Sequence, residues 1–201
     1  MSHEPTHVIL DGLPASGKTM FLLSMQKGLD NAYFVDCTNA TGSGMVDYLF
    51  SHDIKYLLLD EVEKMSKRDQ NVLLNLMETG LLISTKVKKT YQKKINVSIF
   101  ATTNDIESLS KPFRSRFLEF SLPEYTFEEF ERLSVKLLGQ RYGHSLELSR
   151  KVAHEVWNVM KSKDCRDILQ GGKLSRDTSD VDFIVTTLKK YNRKESEMTC
   201  M

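Results

Sequence analysis

The chain has 201 residues, with 28 Lys and Arg against 27 Asp and Glu and a formal charge of +1 at pH 7. That length holds one medium domain, or a large and a small one, around a substantial core. The near-neutral balance excludes binding to nucleic acid by bulk charge, so any such surface has to be local.

No apolar run nears the ~20 residues of a membrane helix, and the start "MSHEPTHVIL" lacks the basic flank and apolar stretch of a signal peptide. Cys37, Cys165 and Cys200 are odd in number and show no metal-ligand spacing. A soluble, reduced, cytoplasmic protein with no membrane association is expected.

The first predicted element is a strand over 7 to 11, followed by "GLPASGKT" and a helix over 18 to 29. The loop satisfies G-x-x-x-x-G-K-[ST] between a strand and a helix, the setting its mechanism needs. Glycines let backbone N–H groups curl around phosphates, and the helix start turns its positive dipole end toward them. Gly12, Pro14, Ala15, Ser16, Gly17, Lys18, Thr19 and Met20 are the candidate nucleotide-binding residues. Lys18 supplies fixed charge and the Thr19 hydroxyl is placed to ligate Mg²⁺. A chance match in a glycine-bearing turn is the competing reading.

A strand over 32 to 37 and a helix near 43 to 51 lead to a strand over 55 to 60, "KYLLLD", which ends in Asp60-Glu61. Open α/β sheets bind ligands at the C-terminal ends of their strands. Asp60 is therefore the candidate to hold Mg²⁺ through its water shell, and Glu61 to orient and deprotonate an attacking water. The alternative, a pair that caps the next helix, suits Glu63 better than Asp60 or Glu61. That helix is expected over 66 to 79, where Val72, Leu73, Leu76 and Met77 recur at helical spacing.

Alternation across 82 to 89 and 91 to 97 predicts a β-hairpin turning near Lys88 to Thr90. Lys86, Lys88, Lys89, Lys93 and Lys94 fall within nine residues with no acid among them. They suit the phosphates of DNA or RNA, with Tyr91 as a stacking group. They equally suit a solvated hairpin protected against edge pairing, and both readings stand.

The strand over 97 to 103 ends in Thr102, Thr103 and Asn104, which places Asn104 on the same sheet edge to hydrogen-bond the γ-phosphate and the water held by Glu61. A last strand is expected over 117 to 122. All five strands read as buried on both faces, in a mainly parallel sheet covered by helices on each side. After "SLPEYT" the texture turns helical. Thr126 with Glu129 is a capping-box signature, and helices follow with Leu148, Val152 and Val156 in register, near 164 to 170, and at 178 to 190. The expected domains are an α/β nucleotide-binding core over 1 to 123, a helical domain over 124 to 191 and a polar tail over 192 to 201 that frays.

In order, GLPASGKT, LLLDE, ATTN and KPFRSRFLEFSLPEYT resemble the Walker A, Walker B, sensor 1 and arginine-finger segments of AAA+ ATPases, over about residues 7 to 190. The wording is most similar to RuvB-like motors of Holliday-junction branch migration and their archaeal relatives. The resemblance implies an α/β P-loop NTPase fold, a parallel five-stranded sheet flanked by helices and followed by a small all-helical lid, with ATP and Mg²⁺ as cofactors. It implies a homo-oligomeric ring in which Arg116 reaches a neighbouring subunit's γ-phosphate, with Arg114 as the nearby alternative, and it matches Arg166 of "KDCRDILQ" to the sensor 2 arginine of the same chain. Asp164 and Cys165 depart from the usual Gly-x-Pro-Arg form there. Only 11 residues precede Gly12, which leaves the adenine pocket thin, and the winged-helix DNA-binding module of RuvB-like motors is not expected here.

The activity so implied is Mg²⁺-dependent ATP hydrolysis coupled to remodelling of DNA, through the 82 to 97 hairpin, or of a protein partner. A nucleotide-switched assembly or scaffold protein with slow turnover is the alternative. A P-loop kinase is disfavoured, since no second strand-end site for an acceptor is visible.

Overall fold

The computed structural model describes residues 4–86 and 89–191, with side chains except at 84–90. The expected tail over 192 to 201, and Lys88, lie outside the described residues. The chain divides into two units: one of Met1–Leu13 with Gly17–Pro123, the other of Pro14–Ser16 with Glu124–Met201.

The first unit is built on a five-stranded parallel sheet. In chain order its strands are β1 (His7–Gly12), β2 (Ala32–Asp36), β3 (Tyr56–Asp60), β6 (Ser98–Thr103) and β7 (Leu118–Leu122), in spatial order β2-β3-β6-β1-β7. The intervening β4 (Leu81–Lys86) and β5 (Lys89–Lys94) form a separate antiparallel hairpin, with Lys86 paired to Lys89. Of the turn expected near Lys88 to Thr90, Lys89 and Thr90 stand in β5. Helices α1 (Lys18–Gly28), α2 (Gly42–Ser51), α3 (Lys67–Thr79) and the single turn α4 (Lys111–Arg114) complete the unit.

Strand residues alternate between faces. Ile9, Val35, Leu57, Leu59, Ile99 and Ala101 pack into one core with Met45 and Leu49 of α2, Leu73 and Leu76 of α3, and Phe113 of α4. The opposite face is covered differently. There α1 lies against β2, β3 and β6, with Leu22 and Leu58 fully buried. The register sets Leu118 beside Val8 and Phe120 beside Leu10 on that face, yet Leu118 is 58% and Phe120 55% exposed. The expectation of burial on both faces thus holds for β3 and fails for β7. As an edge strand, β7 lies beyond the reach of α1.

The second unit is helical: α5 (Phe127–Tyr142), α6 (Leu146–Asn158), α7 (Cys165–Leu174) and α8 (Val181–Tyr191). The capping box forms as read, with Glu129 N donating to Thr126 Oγ1 at 3.3 Å and Thr126 N donating to Glu129 Oε2 at 2.9 Å. Phe130, Leu138, Val152, Val156, Ile168 and Val185 form its core. The buried Ser134 hydroxyl ties α5 to α6 by donating to Ser149 O at 2.7 Å. No helix among the described residues is long and apolar enough to cross a membrane.

Helices α5 and α7 approach closely at Gly172, where an added Cβ would stand 2.3 Å from Leu138 Cδ2. Overpacking of this kind costs about 1–3 kcal/mol, more than the ~1 kcal/mol that alanine gains over glycine inside a helix. Gly172→Ala is therefore expected to lower the Tm of the chain, which thermal denaturation followed by circular dichroism would read.

Candidate functional site

The loop after β1 is shaped by its glycine and by the helix it enters. Gly17 has φ 88, a left-handed conformation that suits glycine, and caps α1 with no side-chain hydrogen bond. The first helical bond runs from Phe21 N to Gly17 O at 3.0 Å. The amides of Lys18, Thr19 and Met20 precede it in the first turn, the end of a helix at which backbone N–H groups favour an anion.

Lys18 is 6% exposed, and its Nζ donates to Gly12 O at 2.7 Å and Leu13 O at 2.8 Å. Burial pushes its pKa down, while Asp11, Glu63, Asp60 and Glu61 all pull it back up. The ammonium therefore sits within the field of four carboxylates. Pro14, Ala15 and Ser16 belong to the helical unit and are held by its own side chains: Tyr125 Oη donates to Ser16 O at 2.8 Å and Cys165 Sγ to Ala15 O at 3.4 Å.

At the ends of β3 and β6 the acidic residues are locked by a threonine. Thr102, fully buried, donates its hydroxyl to Asp60 Oδ1 at 2.5 Å and accepts from Glu61 N at 3.0 Å. Asp60 is 7% exposed. Glu61 has φ 55 and ψ 53, left-handed for a non-glycine residue, which turns its side chain off the strand direction. Thr38, just past β2, donates to Glu61 Oε2 at 3.1 Å. Thr38 is itself set by Asp36, whose Oδ1 accepts from Thr38 N at 2.9 Å, a bond that holds the Asp36 carboxyl below its usual range.

Asn104 Nδ2 lies 3.4 Å from Glu61 Oε1 and 2.9 Å from Glu63 Oε1. Glu63, for which the sequence leaves a helix cap open as an alternative, thus faces Asn104, and the cap of α3 is Ser66, which accepts from Asp69 N. The sequence marks Thr102 only as part of a strand end and gives Thr38 no role. A signal existed for Thr102, since a hydroxyl inside an apolar strand has to find a partner.

The two arginines after β6 differ in how they are held. Arg114 uses three nitrogens: Nε and Nη2 on Glu119 at 2.7 and 2.9 Å, and Nη1 on Glu107 at 2.6 Å. These bonds raise the Arg114 pKa and lower that of Glu119. Arg116 projects from a turn anchored by Phe113 and Phe117, whose rings meet edge to face at 5.1 Å, and bonds Glu78 through Nη2 alone. In the helical unit Arg166 sits in the first turn of α7, largely exposed, with its Nε 3.7 Å from Asp164 Oδ1.

Of the hairpin lysines, Lys93 departs from expectation. Its Nζ donates to the carbonyls of Leu49, Phe50 and His52 at 2.9–3.0 Å, closing the C-terminal end of α2. Three carbonyls left open by a helix end satisfy one ammonium fully, so Lys93 is structural here. Lys94 is exposed. Lys86 and Lys89 are placed by backbone pairing only.

Hard oxygen donors, the Thr19 hydroxyl and the Asp60 carboxylate with one oxygen left by Thr102, suit Mg²⁺, which takes one or two protein oxygens and completes its shell with phosphate and water.

The model of the ATPase family associated with various cellular activities (AAA) matches residues 8–124. No curated protein matches the chain in sequence. Among solved structures, a mutant of Thermotoga maritima RuvB superposes with a TM-score of 0.70 at 20% identity, over 93% of this chain and 63% of that one. A structure titled as the Thermotoga maritima RuvB Holliday junction branch migration motor gives 0.68 at 19% identity, over 92% and 61%. The chain spans about three fifths of these RuvB chains, and at that identity the likeness is one of fold.

Proposed function

Because the chain belongs to the AAA family of ATPases, we propose that it binds ATP with Mg²⁺ and hydrolyses it as one subunit of a homo-oligomeric ring. The observation that carries this reading is the convergence of Lys18, Asp60, Glu61 and Asn104 at the C-terminal ends of three adjacent strands, β1, β6 and β3. A passive nucleotide binder has no use for the last two.

The geometry supports the following division of roles. The amides of residues 18 to 20 and the Lys18 ammonium bind the β- and γ-phosphates. Thr19 and Asp60 would hold Mg²⁺, which would supply charge neutralisation to the phosphates. Glu61 exchanges its bond from Thr38 for one from the attacking water and accepts the water's proton. Asn104 donates to the γ-phosphate, and Arg116 leaves Glu78 to reach the phosphate of a neighbouring subunit. Arg166 serves as the sensor arginine of the helical unit.

For the work done, the RuvB likeness supports remodelling of DNA, with Lys86, Lys88, Lys89 and Lys94 of the hairpin on its phosphates; a protein substrate is the other class. Neutralising these four is expected to reduce DNA stimulation of hydrolysis and to flatten its salt dependence. Lys93→Ala should instead lower thermal stability and leave that salt slope in place.

The Thr38–Glu61 and Glu78–Arg116 pairs hold two reactive groups away from their work, which favours a second reading: a nucleotide-switched assembly protein with slow turnover. Steady-state phosphate release measured across size-resolved fractions, with and without branched DNA, separates the two. The motor reading requires turnover in the oligomer fraction that DNA raises; ATP bound without turnover in any fraction would sink it.

A further inference from the structure

We propose that Glu63 is the residue that positions Asn104 for the γ-phosphate. The inference rests on the ATPase reading above and adds a residue to that site.

One oxygen of Glu63 grips Asn104 twice. Oε1 accepts from the Asn104 side-chain Nδ2 at 2.9 Å and from its backbone N at 3.2 Å. The contact to Glu61 is longer, at 3.4 Å. A carboxylate can only accept, so it decides which end of the symmetrical-looking amide faces the acidic groups. Nδ2 must turn inward, with one hydrogen on Glu63 and the second, on Glu61 at the longer distance here, able to pass to the γ-phosphate or its attacking water. The reverse orientation would set Asn104 Oδ1 against two carboxylates and repel the phosphate.

The other oxygen supports the same reading. Glu63 Oε2 is buried and has no hydrogen-bond partner among the described residues. Burying an unpaired carboxylate oxygen works against folding. Glu63 is held there by its 3-10 turn, Val62–Lys64, which buries Val62 completely beneath it and closes with Lys64 N donating to Glu61 O at 2.9 Å. The Glu63 carboxylate also acts on Lys18 across the site, so both of its neighbours are groups that meet phosphate.

The test compares Glu63→Ala, Glu63→Gln, Asn104→Ala and the double alanine variant, by kcat, by KM for ATP, and by preference for ATP over ADP in a Glu61→Gln background where turnover is stopped. Glu63→Ala is expected to lower kcat about ten- to hundredfold, the loss of a charge-assisted hydrogen bond, with KM little changed. The double variant should be no worse than Asn104→Ala, since Glu63 acts through Asn104. Glu63→Gln should recover most of the rate, because its Oε1 still accepts both bonds.

The ATP preference should fall by the same factor in Glu63→Ala as in Asn104→Ala. Losses that multiply in the double variant, a Glu63→Gln as impaired as Glu63→Ala, or an impaired Asn104→Ala beside an unimpaired Glu63→Ala would each overturn the assignment. If Asn104→Ala itself changes neither turnover nor preference, the sensor reading of Asn104 fails, and this assignment with it.

Discussion

Glu61→Gln is expected to bind ATP as tightly as the unsubstituted chain while phosphate release falls about 10²–10⁴-fold, the usual contribution of a positioned general base. Glutamine matches glutamate in size; its one oxygen can take the Asn104 bond while its amide donates to the Thr38 hydroxyl, which bonds the other Glu61 oxygen here. The loss is therefore confined to proton acceptance. Equilibrium binding of a fluorescent ATP analogue and single-turnover phosphate release read the two quantities separately. Retained turnover would remove Glu61 from the reaction and leave Glu63 as the only other carboxylate in contact with Asn104 among the described residues.

Arg116→Ala is expected to slow turnover about 10³-fold or more, the scale of an arginine supplied in trans to a transferring phosphoryl group. The stronger form of the test mixes it with Glu61→Gln chains. Each variant then carries the group the other lacks, and a site with Glu61 from one chain and Arg116 from the next is complete. In a head-to-tail ring assembled at random from equal amounts, about a quarter of the sites are restored. Two inactive proteins should thus become active on mixing. Activity that stays absent would show that Arg116 does not act on a neighbour.

The choice of Arg116 over Arg114 rests on how each guanidinium is held. All three Arg114 nitrogens are bonded to Glu107 and Glu119. Arg116 gives only Nη2 to Glu78, in an ion pair whose side chains are 43% and 40% exposed. Exposed pairs are worth roughly 0–1 kcal/mol, so Arg116 can exchange Glu78 for phosphate at little cost. Arg114 would have to break a bidentate grip first.

Much of the site was legible because it lies on consecutive residues with local causes. "GLPASGKT" declares its loop and the helix after it; "LLLDE" declares a buried strand with acids at its end. What stayed hidden depends on strand order. The sequence neighbours of Glu63 lead into α3 and leave a cap open for it, whereas its partner Asn104 lies 41 residues on, brought close because β3 and β6 are adjacent in the sheet. The place of Lys93 is hidden for the same kind of reason: the carbonyls it closes lie 41 to 44 residues away, and a lysine run gives no sign of which member is taken. The exposure of β7 was hidden too, since "LEFSL" carries the same apolar texture as a covered strand and only the reach of α1 decides the matter.

The left-handed backbone of Glu61 has a consequence for how this chain tolerates change. A non-glycine residue at φ 55 is held against a preference of roughly 1–2 kcal/mol. Glycine or asparagine at position 61 would relax that strain, and neither can serve as the base. Selection for robustness alone would therefore erode this position, as it would Ala15 and Lys161, which share the conformation. A screen that ranks variants only by resistance to heat or proteolysis should enrich Glu61→Gly among its best scorers, and the sturdiest version of the chain would be an idle one.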